Sequence, residues 1–233
     1  MTQIEHAVGR SWSDELNRLN SRIASSMEPS ARMVFESFTR QLFTRLTSVR
    51  SVVLPSETLA AIGLETFQRL EQRSPGPPGI EVGRTRLPAD GVHDETVRVP
   101  KEHTVVTIKS DDKPFLVSSV LGEIQARGLK TFLVLHPVYE VRRSDDNHLV
   151  ALQARSDSTA NETQQGSNTE SVIIAVMEPI DEAASENLTR ALRAILDQVD
   201  AAVRDWKPMV ERLDRAIAML EDRNRREQSG LLE

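Results

Sequence analysis

Cysteine is absent from the 233 residues. That excludes a disulfide framework, a thiolate metal site and a cysteine nucleophile, and it fits a reducing compartment. Aromatic residues make up only 4% of the chain, so its core must be aliphatic. No uninterrupted apolar run approaches the roughly 18 residues a membrane span requires. The first ten residues carry Glu5 and His6 without an apolar h-region, which argues against a secretory leader. No Gly-x-Gly-x-x-Gly or Walker-type loop offers a phosphate cradle, and no two of the five histidines have the i, i+4 spacing of a helical metal site. A net charge of −6 counts against nucleic acid as a partner, because phosphate binding needs an excess of Lys and Arg. The expectation left standing is a soluble, cytoplasmic protein with neither nucleic acid nor membrane as partner, and with no catalytic or metal site.

What is present is ordinary for a globular protein, with 39% apolar and 27% charged residues and a length suited to one large or two small domains. Ser11 or Ser13 reads as the N-cap of a first helix, with Asp14 and Glu15 in its positive first turn. Pro29 opens a second, in which Val34, Phe35, Phe38, Leu42, Leu46 and Val49 line one face, with Arg32, Arg40, Arg45 and Arg50 turned mainly to solvent. Pro55-Ser56-Glu57 starts a third through Leu59, Ile62, Phe67 and Leu70. Residues 1–73 thus form a helical region. Residues 74–100 form a Pro/Gly-rich linker, with short extended segments expected at Ile80 to Arg86 and Glu95 to Val99.

Residues 101–233 carry the most ordered pattern. Thr104 to Ile108 is an apolar strand, Lys109 to Pro114 an acidic turn, Phe115 to Arg127 a short helix stopped at Gly128, and Leu129 to Arg143 a longer β-branched run with His136-Pro137 at its middle. A polar tract, Ser144 to Glu170, reads as a loop, and Ser171 to Met177 as a strand buried on both faces. Asp181 and Glu182 open a long helical segment whose apolar residues run from Leu188 to Leu220. Pro208 should divide or kink it. The half up to Val203 is expected to pack within the chain, and the half after Pro208 is open to a partner. The chain stops on Leu231-Leu232-Glu233 with no terminating structure, as expected of a piece of a longer chain.

The candidate site is the acidic turn. Asp112 is placed to cap a helix beginning at Pro114, a favoured first-turn residue, and backbone N–H groups at such a helix start can receive a ligand carboxylate. Asp111 and Asp112 are adjacent in an extended chain, so their side chains diverge and do not make a ready acid–base pair. His136, alone in an apolar run, reads as a satisfied core or interface residue.

Asp112-Lys113-Pro114-Phe115-Leu116-Val117, then Val120-Leu121, then Arg127-Gly128-Leu129 resembles the first strand–helix–strand of an ACT domain. The wider pattern resembles the N-terminal region of the large bacterial NAD-specific glutamate dehydrogenases. It comprises Thr104-Val105-Val106, Asp111 through Val120, Leu133 to Val138 followed by Val141-Arg142-Arg143, and Val203-Arg204-Asp205-Trp206-Lys207-Pro208-Met209. Lys113 and Ser118 stand where that family has Met and Asp.

The resemblance implies an α+β fold, with the N-terminal helical segment joined to a ferredoxin-like (ACT-type βαββα) sheet and long C-terminal helices. A fourth sheet strand is expected from the region before Thr104, Glu95 to Val99 being one source, or from another chain. The implied role is a non-catalytic regulatory and oligomerisation segment of an enzyme converting L-glutamate to 2-oxoglutarate. NAD is expected for the full-length enzyme and no cofactor for this segment. The implied partners are the rest of the dehydrogenase chain, other subunits and an amino-acid effector. The effector would sit at Asp111, Asp112, Lys113, Pro114 and Phe115, with His136 nearby. Phe115 occupies the place the ACT family usually gives to glycine, which shifts the weight from effector binding to packing and assembly. The alternative is a free-standing ACT-like amino-acid sensor or adaptor.

Overall fold

The computed structural model describes residues 3–44, 54–73, 76–86, 102–154 and 168–230. Helices α1 (Gln3–Ser25), α2 (Pro29–Phe43) and α3 (Ser56–Leu70) come first. Strands β1 (Gly79–Arg86) and β2 (Glu102–Asp111), helix α4 (Leu116–Ala126), strands β3 (Thr131–Leu135), β4 (Val138–Arg143), β5 (Leu149–Ala154) and β6 (Asn168–Met177), and helix α5 (Glu182–Gly230) follow. The strands make one antiparallel sheet in the order β1-β2-β6-β4-β5, with β3 pairing β6 above β4.

Both faces of the sheet are covered, and the two central strands show it in their sequences. On β2 and β6, alternate residues point to opposite sides. Val105, Val172, Ile174 and Val176 meet Phe35, Phe38, Leu59, Ile62 and Phe67 of the helical layer. Val106, Ile108, Ile173, Ala175 and Met177 meet Leu116, Val120 and Ile124 of α4 and Leu188, Leu192 and Leu196 of α5. A strand with a helical layer on each side needs apolar residues at every position, hence the unbroken run Val172 to Met177. Tyr139 of β4 lies between the helices and the sheet, its ring against Phe38 and its hydroxyl donating to the Phe38 carbonyl at 3.2 Å. Burial pushes its phenol pKa well above the ordinary value.

The α+β class and the ACT-like sheet with its long C-terminal helix agree with expectation. Several details differ. Helix α1 begins at Gln3, well before Ser11 and Ser13. Arg32 is not simply solvated: its guanidinium donates to the carbonyls of Ala24 and Ser25 at 3.0 and 3.1 Å, satisfying the open end of α1. Arg45, Leu46, Val49, Arg50 and Glu95 to Val99 lie outside the described residues. The polar tract contains a strand, β5, which pairs with β4 as a hairpin. The run from Leu129 to Arg143 is two strands, both paired to the same side of β6, with the break at His136-Pro137 bridged by Val172 N–H to the Pro137 carbonyl at 3.1 Å. Proline has no N–H to give a ladder, so the interruption falls there.

The fourth strand does come from upstream of Thr104, but it is β1, the Ile80 to Arg86 segment, paired antiparallel along β2. Gly128 stops α4 as expected. It takes a positive φ of 70° and, with Leu129, returns N–H groups to the carbonyls of Gln125 and Ile124, the double closure of a helix ending in a left-handed residue. Asp181 caps α5 through Oδ1 to the Ala184 N–H at 2.7 Å. Helix α5 then runs unbroken for 49 residues with Pro208 inside it.

Candidate effector site

The turn after β2 stands where the sheet, α3, α4 and α5 converge. Asp111 ends β2 opposite Glu170 of β6, and Ser110 lies opposite Ser171. Alternation sends the two pairs to opposite faces of the sheet. On the α1–α3 side, Arg143 grips Glu170 with two bonds, Nε to Oε1 at 2.7 Å and Nη2 to Oε2 at 2.8 Å. Arg73, just past α3, reaches Glu170 at 3.1 Å and Asp111 at 2.8 Å. The remaining Arg143 donors go to the carbonyls of Leu70 and Asn147.

One turn back, Lys109 donates to the Arg69 carbonyl at 2.7 Å and pairs with Glu81, which also pairs with Arg69; Arg69 contacts Glu65 as well. Four cations thus face four carboxylates. Two of the carbonyls they take up, those of Arg69 and Leu70, are the last of α3, where the helix dipole favours positive charge; the third, of Asn147, lies between β4 and β5. Glu170 is 2% exposed, so its pairs with the largely buried Arg143 and Arg73 side chains are weakly screened and each of the three depends on the others, whereas the side chains of Glu65, Glu81 and Asp111 are exposed. Arg73 Nε is buried and has no acceptor among the described residues.

On the α4–α5 side the groups are a histidine and two serines. His136 Nε2 lies 2.7 Å from Ser171 Oγ. Ser110 Oγ is buried and has no partner among the described residues. The turn between the two faces is held by Asp112 N–H to the Thr169 carbonyl at 2.9 Å and by Lys113 Nζ to Asp200 of α5 at 2.7 Å.

Helix α4 does not begin at Pro114 under an Asp112 cap. It begins at Leu116, with Phe115 in the cap position at φ 69°, ψ −4°, a left-handed conformation with no side-chain cap bond. The left-handed residue breaks the register between Pro114 and the helix, so Asp112 is too far back to cap it. The Phe115 ring is 65% exposed and fills no buried cavity.

The sequence-predicted residues therefore meet at one end of the sheet without forming one site. Asp111 belongs to the charged cluster under α3, Lys113 is tied to α5, Pro114 and Phe115 are exposed in the turn, and His136 meets Ser171 on the other face. Glu170, Arg143 and Arg73 escaped the sequence reading. Their only signal was an acid and two bases at the ends of apolar segments far apart in the chain. Among the described residues no group of three or more His, Asp and Glu is placed to hold a metal ion, and no helix is long and apolar enough to cross a membrane.

Residues 38–192 match the glutamate dehydrogenase ACT1 domain, a span from within α2 to the first turns of α5 that takes in the whole sheet. The chain belongs to this family. The ACT1 chain is also 23% identical over 208 residues to the NAD-specific glutamate dehydrogenase of Halomonas elongata, an alignment covering 89% of this chain and 12% of that protein. It therefore spans about an eighth of the length of that relative. No solved structure matches it.

Proposed function

We propose that this chain is an N-terminal regulatory and assembly segment of an NAD-dependent glutamate dehydrogenase, itself without catalysis, in an enzyme converting L-glutamate to 2-oxoglutarate. The observation that carries the reading is the ACT1 match across residues 38–192, together with likeness to a dehydrogenase of about eight times the length. The chemistry of the site supports it. The charged groups at the Asp111 end are matched against one another, and none stands as a free base beside a nucleophile. The sequence offers no Gly-rich turn for a dinucleotide phosphate, so NAD does not fit these residues, and no step through it is assigned to them. The cytoplasm is the expected location.

An amino-acid effector is the nested part of the proposal. Its carboxylate would approach the N-terminus of α4, beside the His136–Ser171 pair and the buried Ser110 hydroxyl, which has no partner among the described residues, with Asp112 as the acidic group of the turn for an ammonium; Asp111, on the other face and paired with Arg73, stands apart from it. Calorimetry with glutamate, aspartate and branched-chain amino acids should give heat that Ser110→Val abolishes. Silence at millimolar ligand removes the effector and leaves the assembly role. That role is tested in the full-length enzyme by deleting residues 1–233. A changed glutamate dependence or subunit mass is expected, and an enzyme indifferent to the deletion overturns it. Robust NAD reduction by the 233-residue chain alone would also overturn it.

A further inference from the structure

Helix α5 is much longer than the sheet it covers. Its 49 residues extend about 74 Å at 1.5 Å per residue, whereas the ten-residue strands β2 and β6 are about 33 Å long. Its first half is buried through Leu188, Leu192, Leu196 and Val199. The same stripe then continues into solvent: Trp206 is 62% exposed, Leu213 60%, Ile217 45% and Leu220 64%.

The stripe keeps a strict seven-residue period. Leu192, Val199, Trp206, Leu213 and Leu220 share one heptad position, d, and Leu196, Val203, Val210 and Ile217 share the other, a. Beyond the sheet the a positions are all β-branched and the last two d positions are leucine, the combination that favours two parallel strands. Pro208 falls at f, farthest from the seam, where its missing N–H disturbs no contact across it. The parallel alignment also brings Asp214 and Glu221 against Met209 and Ala216 of the other helix, with no like charges opposed.

We propose that α5 beyond Val203 pairs with the same helix of a second copy of this chain as a parallel two-stranded coiled coil. From their exposures, Trp206, Leu213, Ile217 and Leu220 offer roughly 500 Å² per helix, so complete pairing buries up to about 1,000 Å² from these residues alone, close to the lower limit of about 1,200 Å² for a stable specific interface. The inference rests on the assembly role proposed above and names the surface and the partner.

The test uses the 233-residue chain, whose lack of cysteine makes single-cysteine cross-linking unambiguous. Sedimentation across a concentration series should give twice the chain mass. Leu213→Glu with Ile217→Glu should halve it without changing the thermal unfolding of the sheet domain. Leu220→Cys should form a disulfide-linked dimer on oxidation, because only the parallel arrangement sets a d residue against itself. A monomer at all concentrations, a dimer that survives the double charge substitution, or a dimer in which the Leu220→Cys variant does not cross-link each overturns the proposal. A monomeric chain whose deletion still alters the full-length enzyme would sink the coiled coil and leave the assembly role intact.

Discussion

Phe115 holds a backbone conformation that L-residues adopt at a cost of roughly 1 kcal/mol. With the ring exposed, little packing is lost on truncation. Phe115→Gly is expected to raise stability by about 0.5–1 kcal/mol in urea unfolding, whereas Phe115→Ala, which keeps the strain, should give no gain. The match between this φ of 69° and the glycine usual at this turn in ACT domains could not be read from the letter Phe alone; it required the dihedral.

Glu170 makes the opposite case, a residue whose removal takes away the carboxylate shared by two buried guanidinium groups, leaving Arg143 the Leu70 and Asn147 carbonyls and Arg73 the exposed Asp111. Glu170→Gln should destabilise the chain by about 3 kcal/mol, measured by thermal or denaturant unfolding. Replacing Glu170 and Arg143 together by leucine should recover part of that loss.

His103 is fully buried on β2, and neither ring nitrogen has a partner among the described residues. Burial lowers its pKa, so as the pH falls the unfolded chain takes up the proton first. The stability it favours is complete above the free value of about 6.5 and declines as the pH drops through that value towards the depressed one. His103→Phe should flatten the stability profile in that window.

At the scale of elements, Pro208 lies inside α5 and removes one backbone hydrogen bond from a stretch that the sheet does not cover. Pro208→Ala should strengthen helical circular dichroism and raise the melting of that half, by up to about 3 kcal/mol, while the sheet domain unfolds as before. Most elements were legible where a single periodicity ran long. The apolar spacing of α2 and α3, the unbroken run of β6, the glycine stop of α4 and the stripe of α5 each follow from the residues concerned. Strand β5 was not legible, because Leu149 to Ala154 sits in a polar tract and becomes a strand only by pairing with β4. Helix α4 starts at Leu116 and not at Pro114, because the left-handed Phe115 overrides the strong local preferences of Asp112 and Pro114.

For the whole molecule, the helical layer and the sheet share one core: Phe35, Phe38 and Phe67 pack together and against Tyr139 of β4, beside Val105, Ile174 and Val176. Deleting residues 1–73 would uncover that face. The shortened chain should aggregate or bind a hydrophobic dye, whereas the intact chain should not.

What the sequence alone determined was local and periodic: which segments are helical, which strands are buried on both faces, where glycine and proline stop them, and the motifs that tie the chain to glutamate dehydrogenases. What only the tertiary structure decided was long-range. It supplied the sheet edge from Gly79–Arg86, placed Asp111 and Ser110 on opposite faces, and joined Arg73, Arg143 and Glu170 into one buried cluster. Periodicity reports how a residue relates to its near neighbours along the chain. Charge pairing between segments distant in the chain depends on strand order and register, which no local pattern encodes.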